Sequence, residues 1–421
     1  MAEQQQMESA LGCYRVLDLT QGGCLLCGRL LADLGADVIK IERPRGDPSR
    51  NIGPFYKDIL HPEKSLYWFA YNTNKRSITL DIETCDGQQV FKRLAQSADF
   101  VIESFLPGYL DSLGLGYSAL SEVNPRIIMT SITPFGQSGP YAHYKASDIT
   151  LWAMGGFMYL AGDPDRPPVW ISIPQAYLNA AAEGAAASMI AHWHREQTGE
   201  GQHVDVSVQE RVIQLFIHMT PYWAYNQFIV RRVGYGWTTP NASHQMGYEC
   251  QDGHVTYQIW GGGDASAVGS TKAMIAWMDE EGAAPDWLKG IDWVRDYDAM
   301  TLTQDLVDRV EGTVAEFIKT RTKRELYEQA VKRRIMLAPV STAKDLLENE
   351  QLAAREFWTS LEHPELDDAI TYCGPFVKMS ETPCKLERRA PLIGEHNEEI
   401  YQQELGFSAE QLATLKQARV I

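Results

Sequence analysis

The chain reads as an α/β protein, a large domain on a parallel sheet with a smaller α+β domain set into it. Three observations carry this. Over residues 11 to about 200, short β-rich stretches (Tyr14–Leu19, Val38–Ile41, Phe100–Ile102, Ile127–Ile132) alternate with helical segments, as in a parallel sheet with helical crossovers. From 225 to 325 the chain turns to Gly/Trp/Tyr-rich turns, a strand-like His254–Trp260 and amphipathic helices. From Ala338-Pro-Val340 onward helical segments return, and this tail is expected to pack back on the first domain. The expected boundaries are 11–220 with 326–421 for the large domain and 225–325 for the small one.

Taken in order, the first ten residues, MAEQQQMESA, are polar and read as a disordered tail over 1–10, neither signal nor transit peptide. Cys24-x-x-Cys27 opens an apolar helical stretch. With no second pair or His cluster to complete a zinc site, both thiols are assigned to the core. Val169–Ile173 leads through Pro174 into an Ala-rich run, Ala176 to Trp193, with strong helix propensity and small side chains that allow close packing. Thr198-Gly-Glu-Gly-Gln202 ends that helix with two glycines, and His203-Val-Asp-Val-Ser207 alternates like a strand. Three consecutive glycines, Gly261, Gly262 and Gly263, make a flexible loop after Trp260.

Composition narrows the function classes. With 421 residues, 44% of them hydrophobic, the chain can bury a core in more than one domain. A net charge of −17 opposes binding to nucleic acid or to anionic membranes. Seven dispersed cysteines fit a reducing, cytoplasmic setting. The sequence contains no Walker loop, dinucleotide GxGxxG, G-x-S-x-G elbow or HExxH.

Seven short motifs then fall in one order: Arg15-Val-Leu-Asp-Leu-Thr20, Leu31-Ala-Asp-Leu-Gly-Ala-Asp-Val-Ile-Lys-Ile-Glu42, Asn74-Lys-Arg-Ser-Ile-Thr-Leu-Asp81, Ser104-Phe-Leu-Pro-Gly-Tyr-Leu-Asp111, Phe135-Gly-Gln-Ser-Gly-Pro-Tyr141, Thr198-Gly-Glu-Gly-Gln202 and Ile393-Gly-Glu-His396. Together they resemble the family III CoA-transferases, the group of the formyl-CoA and carnitine CoA-transferases and the related acyl-CoA racemases. The resemblance implies a Rossmann-like large domain, a smaller α+β domain and an interlocked-ring dimer. It implies coenzyme A or an acyl-CoA as substrate, with no tightly bound cofactor and no metal.

The family's nucleophile is an Asp about 21 residues before the Thr of TGxGQ. Counting back 21 from Thr198 reaches Tyr177. The family Asp attacks the thioester to give a mixed anhydride, and CoA then returns to the Asp carbonyl. A phenol with an ordinary pKa near 10 is only ~0.1% ionised at neutral pH and offers no acyl carbon. Tyr177 is therefore expected not to be catalytic. Asp148, Asp163, Asp165 and Glu183 are the neighbouring carboxylates weighed as substitutes. Each reads more simply as solvated or structural. The racemase branch would need a His before Asp148, where Ser147 stands.

By the same resemblance, Arg43, Lys75, Arg76, Leu80, Ser104, Phe105 and Lys145 are candidates for CoA contact. Their cations suit the phosphates of the nucleotide. The simpler reading of Lys75-Arg76 is a solvated turn. Ser104 replaces a usual Asn, Ser112 a frequent Arg, and Gly22-Gly23-Cys24 stands where Ala-Gly-Pro is common. Gly261–Gly263 corresponds to the family's mobile lid loop.

The functional expectation is a non-catalytic subunit of a heteromeric CoA-transferase, of the (R)-benzylsuccinate CoA-transferase kind, paired with a paralogous subunit that carries the Asp. CoA would move from an acyl-CoA such as succinyl-CoA to a carboxylic acid. Eleven Trp and nineteen Tyr suggest an aryl-substituted succinate as acceptor. The alternatives are an active homodimer with a relocated nucleophile, or an acyl-CoA-binding regulatory protein without turnover.

Overall fold

A computed structural model describes residues 9–421. Of the tail expected over 1–10, all but Ser9 and Ala10 lies outside the described residues. The chain divides into two compact units. The first holds the residues up to Phe157, Trp170–Thr220 and Glu350–Ile421, and the second Met158–Val169 and Pro221–Asn349.

The first unit is built on six strands: β1 (Arg15–Leu19), β2 (Asp37–Glu42), β3 (Arg76–Thr79), β4 (Phe100–Glu103), β5 (Ile128–Thr133) and β6 (His203–Ser207). They pair in the order β3-β2-β1-β4-β5-β6, every pair parallel. Runs such as Val16-Leu17, Ile39 and Val101-Ile102 are buried on both faces, as expected when helices cover each side. Strand order reverses between β1 and β4, so the crevice at their carboxyl ends is where this topology places ligands.

Three helices frame that crevice: α1 (Leu25–Asp33), α2 (Asp148–Met154) and α3 (Ala176–Thr198). Cys24 and Cys27 are buried as expected. The Ala-rich α3 lies close on the sheet because one face is nearly bare. A Cβ at Gly184 would sit 2.9 Å from Ile132 Cδ1 and 3.5 Å from Cys27 Sγ. Gly199, with φ 82°, turns the chain out of α3 in the left-handed conformation that glycine adopts freely.

The second unit has its own core of Tyr248, Tyr257, Trp277, Met278, Val307, Val310 and Val314. Its antiparallel sheet joins Gly247–Cys250, Gly253–Tyr257 and Leu337–Pro339. The expected strand to Trp260 thus ends at Tyr257. The unit also runs past 325 to Asn349, because Leu326, Ala330, Ile335 and Leu337 pack into the same core. The returning tail is not purely helical either. Trp358–His363 pairs with Asp368–Cys373 as a hairpin, whose aromatic and β-branched residues favour strands.

Candidate active site

The two loops at the switch point are tied together. Gln21 N, just after β1, donates to Ser104 Oγ, just after β4, at 2.9 Å. Gly22 N donates to Ser49 Oγ at 2.9 Å. The first turn of α3 rests on this loop so tightly that a Cβ at Gly23 would fall 2.7 Å from Tyr177 Cβ. Gly23 is thus what admits Tyr177 to the crevice.

Tyr177 is half-buried, and its hydroxyl donates to Ala146 O at 3.3 Å. Burial, with Cys24 and Asp148 nearby, pushes the phenol well above its ordinary value, so it stays neutral. Of the carboxylates weighed as substitutes, Asp148 is the one placed here, and both of its oxygens are engaged. Oδ1 accepts Ala176 N at 2.8 Å, satisfying an orphan amide at the start of α3, and Oδ2 accepts Trp170 Nε1 at 3.0 Å. Glu183 pairs with Arg211 at 3.6 Å. Asp163 and Asp165 belong to the second unit, where the Asp163 carbonyl accepts from Arg232. Cys24 lies beside Ser104, and burial pushes its thiol up to about 12, which makes it a poor nucleophile.

Lys75 and Arg76 correct the sequence reading. Neither is a solvated turn, and neither is free to meet a phosphate. Lys75 is fully buried, and its ammonium donates to Asp18 Oδ2 (2.8 Å), Leu25 O (2.8 Å) and Asn72 Oδ1 (3.0 Å), which uses all three protons. Asp18 also accepts from Thr20 N and Oγ1, and Lys40 reaches Thr20 O and Asp47. Burial opposes the charge on Asp18, yet Lys75 and Lys40 hold its carboxyl below the usual range. Gly28 makes room for this carboxylate, since a Cβ there would lie 2.3 Å from Asp18 Oδ2. Arg76 is spent on Asp37, Glu399 and Glu404.

The remaining nucleotide candidates separate. Arg43, Leu80 and Phe105 come together in a cleft at the carboxyl ends of β1 to β4, with Gln21 and Tyr109. Arg43 is exposed and pairs with Glu83 at 2.9 Å, and Tyr109 donates to the same Glu83 oxygen at 2.8 Å. The Phe105 and Tyr109 rings lie 4.7 Å apart, forming one aromatic wall. Tyr109 was within reach of sequence reasoning, since it stands in the quoted Ser104–Asp111 motif. Glu83 and Gln21 gave no such signal. Ser104 is taken up by Gln21 and Cys24 at the floor, and Lys145 is exposed ahead of α2. Behind Phe105, Glu103 is buried and its carboxylate accepts Phe105 N at 2.6 Å. Desolvation pushes its pKa up to about 7.

Gly261–Gly263 lies in the second unit and leads into the helix Ala265–Glu280, which Asp264 caps through Ser266 N and Ala267 N. Among the described residues no group of His, Cys, Asp and Glu could hold a metal, and no helix is long and apolar enough to cross a membrane.

The crevice has relatives. Succinyl-CoA:(R)-benzylsuccinate CoA-transferase subunit BbsE of Thauera aromatica is 36% identical over 408 residues, covering 96% of each chain. The succinyl-CoA–L-malate CoA-transferase beta subunit of Chloroflexus aurantiacus is 30% identical over 98% of each. The crystal structure of a CAIB/BAIF family protein from Brucella suis superposes with a TM-score of 0.79 at 27% identity, over 94% of this chain and 99% of that one. The sequence model of CoA-transferase family III matches residues 11–397, a span that takes in all six strands, the switch-point loops and α3. A Rossmann-like sheet, a crevice at its switch point and a family match across both units lead to one conclusion: the chain belongs to CoA-transferase family III.

Proposed function

We propose that this chain is the nucleophile-lacking subunit of a heteromeric CoA-transferase. The complex moves CoA from an acyl-CoA such as succinyl-CoA to a carboxylic acid, with an aryl-substituted succinate as acceptor. Tyr177 carries the reading: at the position where the family's attacking carboxylate is expected stands a half-buried, neutral phenol that can form neither a mixed anhydride nor an aspartyl thioester. Support for a heteromer comes from the similarity to a relative named as a subunit of a succinyl-CoA:(R)-benzylsuccinate CoA-transferase. The partner is a paralogue that supplies the Asp, the two chains forming an interlocked dimer in the cytoplasm. Such a pair would preserve a silent subunit, because the catalytic chain folds only around its partner.

In this reading the cleft of Arg43, Leu80 and Phe105 receives the nucleotide of CoA, with the guanidinium toward phosphate and the Phe105–Tyr109 wall toward the base. Lys145 adds a second cation, and Gly261–Gly263 acts as the lid. The test is CoA transfer from succinyl-CoA to a panel of alkyl and aryl succinates, by the purified chain alone and with its co-expressed paralogue. Silence alone with turnover in the mixture is expected, and hydroxylamine trapping followed by mass spectrometry places the acyl intermediate on the partner. Robust turnover by the lone chain overturns the proposal and turns attention to Asp148.

A further inference from the structure

Beside the glycine loop the second unit carries three stacked rings. Trp237 lies on the strand Gly236–Thr238, directly across from His244 on Ser243–Gln245, and this cross-strand pair stacks at 4.3 Å with 12° between the planes. The other face of Trp237 meets Trp260 at 4.6 Å and 27°. The base of the stack is fixed: His244 is 4% exposed, its Nδ1 lies 3.1 Å from Glu311 Oε1, and Glu311 Oε2 accepts Gln245 N at 2.8 Å. The outer end is fixed as well. Trp260 N donates to Thr271 Oγ1 at 2.9 Å and its indole N–H to Gln258 Oε1 at 3.1 Å.

A packing role alone does not account for this arrangement. Both indoles are only half-buried and stand outside the unit's apolar core. Among the described residues, no further ring or cation packs against Trp260, which stays part-exposed. Three buried polar atoms of the cluster, Trp237 Nε1, His244 Nε2 and Tyr297 Oη, have no hydrogen-bond partner there, whereas buried polar atoms are normally satisfied. Tyr297 also seats the loop: a Cβ at Gly261 would lie 2.0 Å from Tyr297 O, so the glycine backbone rests on it directly. A rigid, part-exposed aromatic face with an adjoining glycine loop, backed by enclosed polar atoms that lack partners, has the parts of a small-molecule subsite.

The geometry points to a ring-stacking subsite in which the outer face of Trp260 takes the planar aryl ring of the acceptor acid. This rests on the acceptor class proposed above; the adenine of CoA, the other planar ring in the reaction, goes to the Phe105–Tyr109 wall. Offset stacking on a pre-set indole adds to the burial of the aryl ring, so losing it costs roughly tenfold in affinity for an aryl acid and nothing for an alkyl one.

The full chain, alone and in complex with the Asp-bearing paralogue, is titrated with phenylsuccinate, benzylsuccinate, methylsuccinate and adenosine 3',5'-bisphosphate. Binding is read by calorimetry and tryptophan fluorescence in the natural protein, W260F and W260L. The expected result is quenching by the aryl acids only, roughly tenfold weaker aryl binding in W260L, near-natural binding in W260F, and unchanged methylsuccinate and nucleotide binding. Equal quenching by aryl and alkyl acids in the natural protein overturns the inference even if W260L does not fold. So does a W260L loss that falls on the nucleotide, or on all acids alike. If aryl-selective binding holds while the reconstituted pair transfers no CoA, the proposed function fails and the subsite stands.

Discussion

Lys75 puts two full charges in the interior. Its ammonium and the Asp18 carboxylate are both fully buried and 2.8 Å apart, with the remaining lone pairs and protons hydrogen-bonded. Removing one partner strands the other, so Lys75→Met is expected to destabilise the first unit by about 3–5 kcal/mol, while the double change with Asp18→Asn recovers part of the loss. Urea unfolding of the three proteins measures it. Glu103 gives a pH signature of opposite origin. Burial raises its pKa from an ordinary 4.5 to about 7, so the folded chain binds that proton more tightly than the unfolded one. Its contribution to stability is therefore full below pH 4.5 and is lost as pH rises toward 7, a difference of about 3 kcal/mol. Glu103→Gln keeps an acceptor for Phe105 N and should flatten that part of the stability–pH curve, raising stability at pH 8. An unchanged slope between pH 5 and 7 would show that Glu103 is not its source.

At the scale of elements, α3 joins sequence to site. Its start, end and following strand were legible because alanine content, the Thr198–Gln202 turn and the alternation in His203–Ser207 are local signals. The same holds for β1, β2, β4 and β5, whose apolar runs announce them within a residue or two. The placement of Lys75 and Arg76 was not legible. Their partners Asp18 and Asp37 lie 57 and 39 residues away, and only the finished sheet brings these charges together. The Trp358–His363 hairpin was missed for a related reason, since its pairing partner and the core beneath it are both set by tertiary contacts. The contact between α3 and the loop after β1 is the element-level test. With 2.7 Å between a new Cβ and Tyr177 Cβ, and 3.4 Å to Leu178 N, Gly23→Ala must push the start of α3 off the crevice. The expected cost is about 1–3 kcal/mol in thermal or urea unfolding. Tyr177→Phe, which loses only the 3.3 Å bond to Ala146 O, should cost at most about 1 kcal/mol and leave transfer by the reconstituted pair unchanged.

The whole chain contains two units with separate apolar cores. One is centred on Leu17, Ile39, Val101, Phe91 and Tyr401, the other on Tyr248, Trp277, Val307 and Val310. The first unit is assembled from three separate segments and the second from two, although the second unit's core lies within one stretch, Ala242 to Leu337. Cooperative unfolding follows cores and not chain order, so heating should show two transitions. The assignment is made by substitutions confined to one core. Lys75→Met is expected to lower one transition and leave the other in place. Trp277→Ala, which empties a site 1% exposed against Phe317, should cost about 3–5 kcal/mol and lower only the second. If both changes move a single shared transition by similar amounts, the two cores unfold as one cooperative body. The same pair of variants then separates assembly from folding. A partner subunit that stabilises this chain by binding raises whichever transition it contacts by mass action, and raises it more as the partner is made more concentrated.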